Sequence, residues 1–166
     1  MLPSVPPCGY VLVVDDDPTI AQFLSRLLAA DGHQVSVAHT GADALARVTA
    51  RPPDLVLLDL GLPGLGGLEV CRRLKANPAT RLIPVLVLTG EDPAAARVSA
   101  WEAGADEYLT KPARAADVAA RARSLLRLKA AQDELDSAQA TLAAFARAVE
   151  AKCPSTLGHT ERVTDL

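Results

Sequence analysis

Four apolar runs in this 166-residue chain end in residues able to do chemistry. Val11 to Val14 lead into Asp15, Asp16 and Asp17, Leu55 to Leu58 into Asp59, and Val85 to Leu88 into Thr89, while a weaker pair, Tyr108 and Leu109, precedes Lys111. Carboxylates crowded at one edge repel and raise one another's pKa unless a cation sits among them. An oxygen-only donor set suits hard Mg²⁺, which takes one or two carboxylates, keeps several waters and bridges to a phosphoryl oxygen. With a metal, a lysine and a hydroxyl around it, Asp59 has what an aspartyl phosphate needs. That is an ionised nucleophile with fixed positive charge about three equatorial oxygens. The predicted chemistry is phosphoryl transfer. Each residue also has a structural role open to it: Asp16 or Asp17 as the cap of a helix starting at Pro18, and Thr89 as a turn hydroxyl.

Such a site requires elements that bring these run ends to one edge. The runs read as strands, with Val35 to Ala38 as a further one, and the first, third and fourth are apolar enough to be buried on both faces. Helical periods lie between them: Ile20, Leu24, Leu27 and Leu28, then Leu45 and Val48, then Leu68, Cys71 and Leu74, then an Ala-rich stretch over 93–103. Alternation of strand and helix implies right-handed crossovers and a parallel sheet covered on both faces. The predicted fold is α/β, a doubly wound five-stranded parallel sheet of order 2-1-3-4-5. Ligands bind such sheets beyond the carboxyl ends of the strands, which is where the polar residues fall.

After Pro112 the character changes. Residues 115 to about 151 hold no Gly or Pro and are rich in Ala, Leu, Arg, Gln and Glu, so they read as one extended C-terminal helix. Val118, Ala122 and Leu125 can pack on the sheet. Leu128, Leu135, Leu142 and Val149 then repeat every seven residues, with Ala131, Ala138 and Phe145 three positions later. That stripe predicts a homodimer through a parallel coiled coil, or a connector to a second domain, the plainer alternative being a helix folded back on its own domain. The expected divisions are a flexible lead over 1–9, a domain over 10–128, a helical linker over 129–152 and a fragment over 153–166.

The chain has 17 Lys and Arg against 20 Asp and Glu, a net charge of -3 that gives no electrostatic reason for direct nucleic-acid binding. Its apolar runs are far shorter than the roughly 20 residues of a membrane-spanning helix, and a cytoplasmic location is expected. Cys8, Cys71 and Cys153 are odd in number and lack metal-ligand spacing, as expected of free thiols in a reducing compartment.

The segments "VLVVDDDP", "PDLVLLDLGLPGLGGLEV", "VLVLTG" and "GADEYLTKP" resemble, in order, the CheY-like receiver domains of two-component response regulators, over roughly residues 10–128. The resemblance implies a phosphoacceptor signalling domain, not an enzyme, in which Asp59 takes phosphate from a sensor histidine kinase or phosphotransfer protein. It implies that Mg²⁺ is held by Asp15, Asp16, Asp59 and the Gly61 carbonyl, that Thr89 and Lys111 contact the phosphoryl group, and that the Lys111-Pro112 bond is cis. It further implies a switch: Thr89 is drawn inward and Tyr108 rotates into the vacated space, repacking the face of helix four, strand five and helix five. Tyr108 could instead be a half-buried edge residue with its hydroxyl in water. Ala113 stands where the family often has an aromatic residue, and Gly66 where an acidic one is common before the required Gly67. The family tunes water access two residues beyond the aspartate and the threonine, here Gly61 and Glu91. With Gly61 there, rapid self-dephosphorylation is expected.

The tail "AVEAKCPSTLGHTERV" resembles the opening of HD-GYP cyclic-di-GMP phosphodiesterases, whose metal-binding histidine His159 would match. The segments that name that family would lie beyond Leu166, so no activity is expected from the tail. Glycines 61, 64, 66 and 67 lack the G-x-G-x-x-G spacing of a dinucleotide loop. Two rival functions remain. Asp15-Asp16-Asp17-Pro18-Thr19 satisfies the D-x-D-x-T signature of haloacid-dehalogenase-type phosphatases, with Asp15 as nucleophile and Asp17 as general acid, though Asp59 is then unexplained. A dimerisation module with a vestigial acidic pocket is the other.

Overall fold

The computed structural model describes residues 8–90 and 93–152. Elements alternate along the chain as β1 (Tyr10–Val14), α1 (Pro18–Ala30), β2 (Gln34–Ala38), α2 (Gly41–Ala50), β3 (Leu55–Asp59), α3 (Gly67–Ala76), β4 (Val85–Thr89), α4 (Pro93–Glu102), β5 (Glu107–Thr110) and α5 (Ala115–Lys152). The five strands form one parallel sheet of order β2-β1-β3-β4-β5, as the alternation predicts. The central strands β1, β3 and β4 are buried almost throughout, whereas the edge strands β2 and β5 are half-exposed. Their apolar content follows the same order because only a central strand has both faces covered.

Strand side chains alternate between two cores. Leu12, Val14, Val56, Leu58, Val85 and Val87 pack with Ala44 and Val48 of α2, Val70, Cys71 and Leu74 of α3, and Ala100 and Ala103 beside α4. Val11, Val13, Leu55, Leu57, Leu86 and Leu88 pack on the other face with Ala21, Leu24 and Leu28 of α1 and Val118, Ala122 and Leu126 of α5. Leu125 packs half-buried against this core as expected, and Leu126 beside it is the more deeply buried contact. Positions four apart form the ridge that this helix lays on the sheet, so the buried row runs 118, 122, 126.

Gly9, assigned to the lead by its prolines, is buried: its carbonyl accepts from Gln34 N and its amide donates to His33 Nδ1. The chain divides into two units, Met1–Ala130 and Ala131–Leu166. The first carries the sheet. In the second, every described side chain from Ala131 to Ala148 is exposed. Among the described residues no helix is long and apolar enough to cross a membrane. Val149, the last residue of the seven-residue repeat, has its side chain outside the described residues, as do His159 and the tail carrying it.

Candidate functional site

Asp15 follows directly on β1 and is 2% exposed. Its amide donates to Ala38 O at 3.1 Å, which extends the β1 to β2 ladder by one residue. Its carboxylate accepts from Asp17 N at 3.0 Å and from Lys111 Nζ at 2.6 Å. The same ammonium lies 3.0 Å from Asp59 Oδ2, at the end of β3. Lys111 therefore bridges two carboxylates that arrive from different strands. Burial raises the Asp15 pKa by more than the bonds from Lys111 and Asp17 lower it. Burial also acts to lower the Lys111 pKa, but its bonds to Asp15 and Asp59 prevail and the net shift is upward.

Oxygens of Asp15, Asp16 and Asp59 lie within 4.8 Å of one another, the one such acidic group among the described residues. Three carboxylate oxygens with no nitrogen or sulfur fit a hard cation such as Mg²⁺. Thr89 closes β4 and is 1% exposed, and Lys111 N donates to its carbonyl at 2.8 Å. The Lys111-Pro112 bond is cis. Gly61 is exposed, and a Cβ placed on it would meet Asp59 Oδ2 at 3.7 Å, so this glycine leaves one side of the carboxylate open. Gly67 has a different reason to be glycine: a Cβ there would collide with the backbone of Asp59 and Leu60. The loop after β3 can double back to α3 only without that atom.

Asp17 takes the structural role foreseen for it. Its side chain caps α1 by accepting from the amides of Thr19 and Ile20, at 2.7 and 3.3 Å, and those bonds lower its pKa. The phosphatase reading requires the same carboxylate as general acid and leaves Asp59 without a purpose, so the site does not favour it. Tyr108 on β5 packs against the core on the α2, α3 and α4 face, with its phenolic oxygen buried, so the hydroxyl is not in water. Cys71 is buried, its Sγ donates to Ala103 O at 3.4 Å, and burial pushes its thiol up to about 11, consistent with an inert core thiol. Glu91 lies outside the described residues.

One strand-end residue at the site, the one that follows the run Val35 to Ala38, is not among those singled out from the sequence. His39 follows the last residue of β2, and its Nδ1 lies 2.9 Å from the Asp15 carbonyl. The available signal is its place directly after an apolar run, the same that marks Asp15 and Asp59, although a single histidine in a polar stretch is ordinarily solvated.

The model of the response regulator receiver domain family matches residues 11–123. Response regulator MprA of Mycobacterium avium is 41% identical over 131 residues, covering 79% of this chain and 57% of that protein. MprA of Mycobacterium ulcerans is 42% identical over 124 residues, 75% of this chain and 53% of that protein. The chain thus spans little more than half the length of these curated relatives. Among solved structures, a putative response regulator from Chloroflexus aurantiacus superposes with a TM-score of 0.70 at 34% identity, covering 72% of this chain and 98% of that one. NtrX from Brucella abortus gives 0.71 at 30% identity, over 78% of this chain and 29% of that one. With sheet order, matched residues and relatives in agreement, the chain belongs to the response regulator receiver domain family.

Proposed function

We propose that this receiver domain takes a phosphoryl group onto Asp59 from a sensor histidine kinase or a phosphotransfer protein, and passes the change to an output through α5. The observation that carries the reading is the Lys111 ammonium set 2.6 Å from Asp15 and 3.0 Å from Asp59, beside three clustered carboxylates. In this reading Asp59 attacks as the ionised carboxylate. Asp15, Asp16, Asp59 and the Gly61 carbonyl would hold Mg²⁺, which would supply positive charge to the phosphoryl oxygens. Lys111 balances the charge that arrives on Asp59, and the Thr89 hydroxyl moves inward to meet it. Tyr108 then follows into the space that Thr89 leaves. Support for this last step is that the two lie on neighbouring strands, Thr89 buried on β4 and Tyr108 half-buried on β5 with its phenolic oxygen inside.

The output end of the reading is a homodimer through the second half of α5. Leu128, Leu135, Leu142 and Phe145 are 59 to 68% exposed, and a heptad stripe of that kind is stable when a second helix covers it. Phosphorylation is tested by intact mass after incubation with Mg²⁺ and acetyl phosphate. The expected result is a gain of one phosphoryl group that Asp59→Asn abolishes and Asp15→Asn reduces. Labelling that needed Asp15 and ignored Asp59 would instead establish the phosphatase reading.

A further inference from the structure

The β1 to β2 ladder ends in an unusual way. Backbone pairing carries Asp15 N to Ala38 O, but β2 stops at Ala38 and the chain turns at once into α2, whose cap is Thr40. The next acceptor on β1 is the Asp15 carbonyl, and the group that meets it is a side chain, His39 Nδ1 at 2.9 Å. A carbonyl only accepts, so the proton is on Nδ1. The peptide held this way joins Asp15 to Asp16, two of the three clustered carboxylates. On its far side the loop is already fixed. Asp17 N donates to Asp15 Oδ1, and the Asp17 side chain is committed to capping α1. His39 itself is not part of the carboxylate cluster.

We propose that His39 is a positioning residue: its Nδ1–H takes the place of a missing strand amide and fixes the Asp15-Asp16 peptide so that both carboxylates face one cation. The idea rests on the cluster being a Mg²⁺ site, and predicts that affinity depends on a side chain that never touches the metal. Groups that orient ligands from outside the coordination sphere commonly have this effect.

The test uses the full chain and two independent readouts. Long-range ¹H-¹⁵N correlation at pH 8 without metal should show His39 as the Nδ1–H tautomer, opposite to His33, whose Nδ1 accepts from Gly9 N. Titration calorimetry with Mg²⁺ should show about fivefold weaker binding for His39→Ala, the order expected for the net worth of one hydrogen bond. His39→Asn, whose amide nitrogen can replace Nδ1, should restore most of that loss, while the melting temperature of all three proteins stays close. An Nε2–H tautomer at His39, equal Mg²⁺ affinity in His39→Ala, or no rescue by Asn would each overturn the proposal. Asp15→Asn separates the two levels. If the parent chain binds no Mg²⁺, or Asp15→Asn binds it equally well, the cation reading fails and takes the inference with it. If Asp15→Asn abolishes binding and His39→Ala leaves it unchanged, only the role of His39 is lost.

Discussion

At the scale of single residues, the site combines fixed charge with one deliberate opening. Asp15 and Lys111 are held between strand ends, whereas Gly61 offers no side chain where one would fit at 3.7 Å from Asp59 Oδ2. Its φ is not in the left-handed region, so a larger residue is tolerated there. Gly61→Leu is expected to lengthen the lifetime of phosphorylated Asp59 roughly two- to fivefold by excluding water from the acyl phosphate, as followed by decay of the added mass. An unchanged lifetime would place the attacking water elsewhere. His33 gives a second residue-level prediction. It is buried, its Nδ1 accepts from Gly9 N, and burial lowers its pKa, with Asp31 acting to raise it and Arg123 to lower it again. The folded protein thus binds this proton less readily than the unfolded chain. Stability from the neutral ring is complete above the ordinary histidine pKa of about 6.5 and is lost as pH falls through the lower folded value. The melting temperature should drop more steeply between about pH 7 and 5 in the parent than in His33→Asn, and parallel curves would contradict this.

At the scale of elements, α5 is fastened to the sheet through its first turns. Its first turns belong to the core: Val118, Ala122 and Leu126 bury against β1, β3, β4 and α1. Arg121 pairs with Glu107 on β5, and Arg123 with Asp31 at the end of α1, so the helix is tied on two sides. Leu126→Ala should cost about 2 to 4 kcal/mol in a denaturant melt, and Leu125→Ala clearly less, because only the former leaves a cavity in packed surroundings. Comparable losses would mean that the buried row is misplaced. A second fastening holds β5. Lys75 at the end of α3 donates to Ile83 O and pairs with Asp106, which in turn accepts from Val85 N, so the segment before Tyr108 is anchored to the start of β4.

At the scale of the whole molecule, the expected assembly is a pair of chains joined through the second unit. Side chains from Ala131 to Ala148 are exposed, and a helix without tertiary packing is marginal in water. Light scattering should give twice the chain mass at high micromolar concentration. Leu135→Asp with Leu142→Asp should return the monomer while leaving the phosphoryl mass gain on Asp59 intact, since neither residue belongs to the sheet-bearing unit. A monomeric parent would remove the dimer. Loss of phosphorylation in the double variant would instead show that the stripe supports the receiver domain itself.

The amino-acid sequence alone determined the layout of this domain, because strand burial and strand-end chemistry are written locally. An apolar run of four or five residues flanked by turn residues specifies a buried strand, and the residue just after it must lie at the carboxyl edge of the sheet. Asp15, Asp16, Asp59, Thr89 and Lys111 were therefore legible before any contact was known. Gly67 was legible as a requirement, although its cause, the backbone of Asp59 and Leu60 in the way of a Cβ, is tertiary. That Leu126 is more deeply buried than Leu125 was not legible, since both leucines pack on the same core and the sheet decides how far each is covered. Nor was the engagement of His39 with Asp15, 24 positions apart, because it depends on where β2 ends relative to β1. Register between strands is set by the packing of both sheet faces at once, so the hydrogen bonds that finish a ladder belong to the folded molecule and not to any one segment.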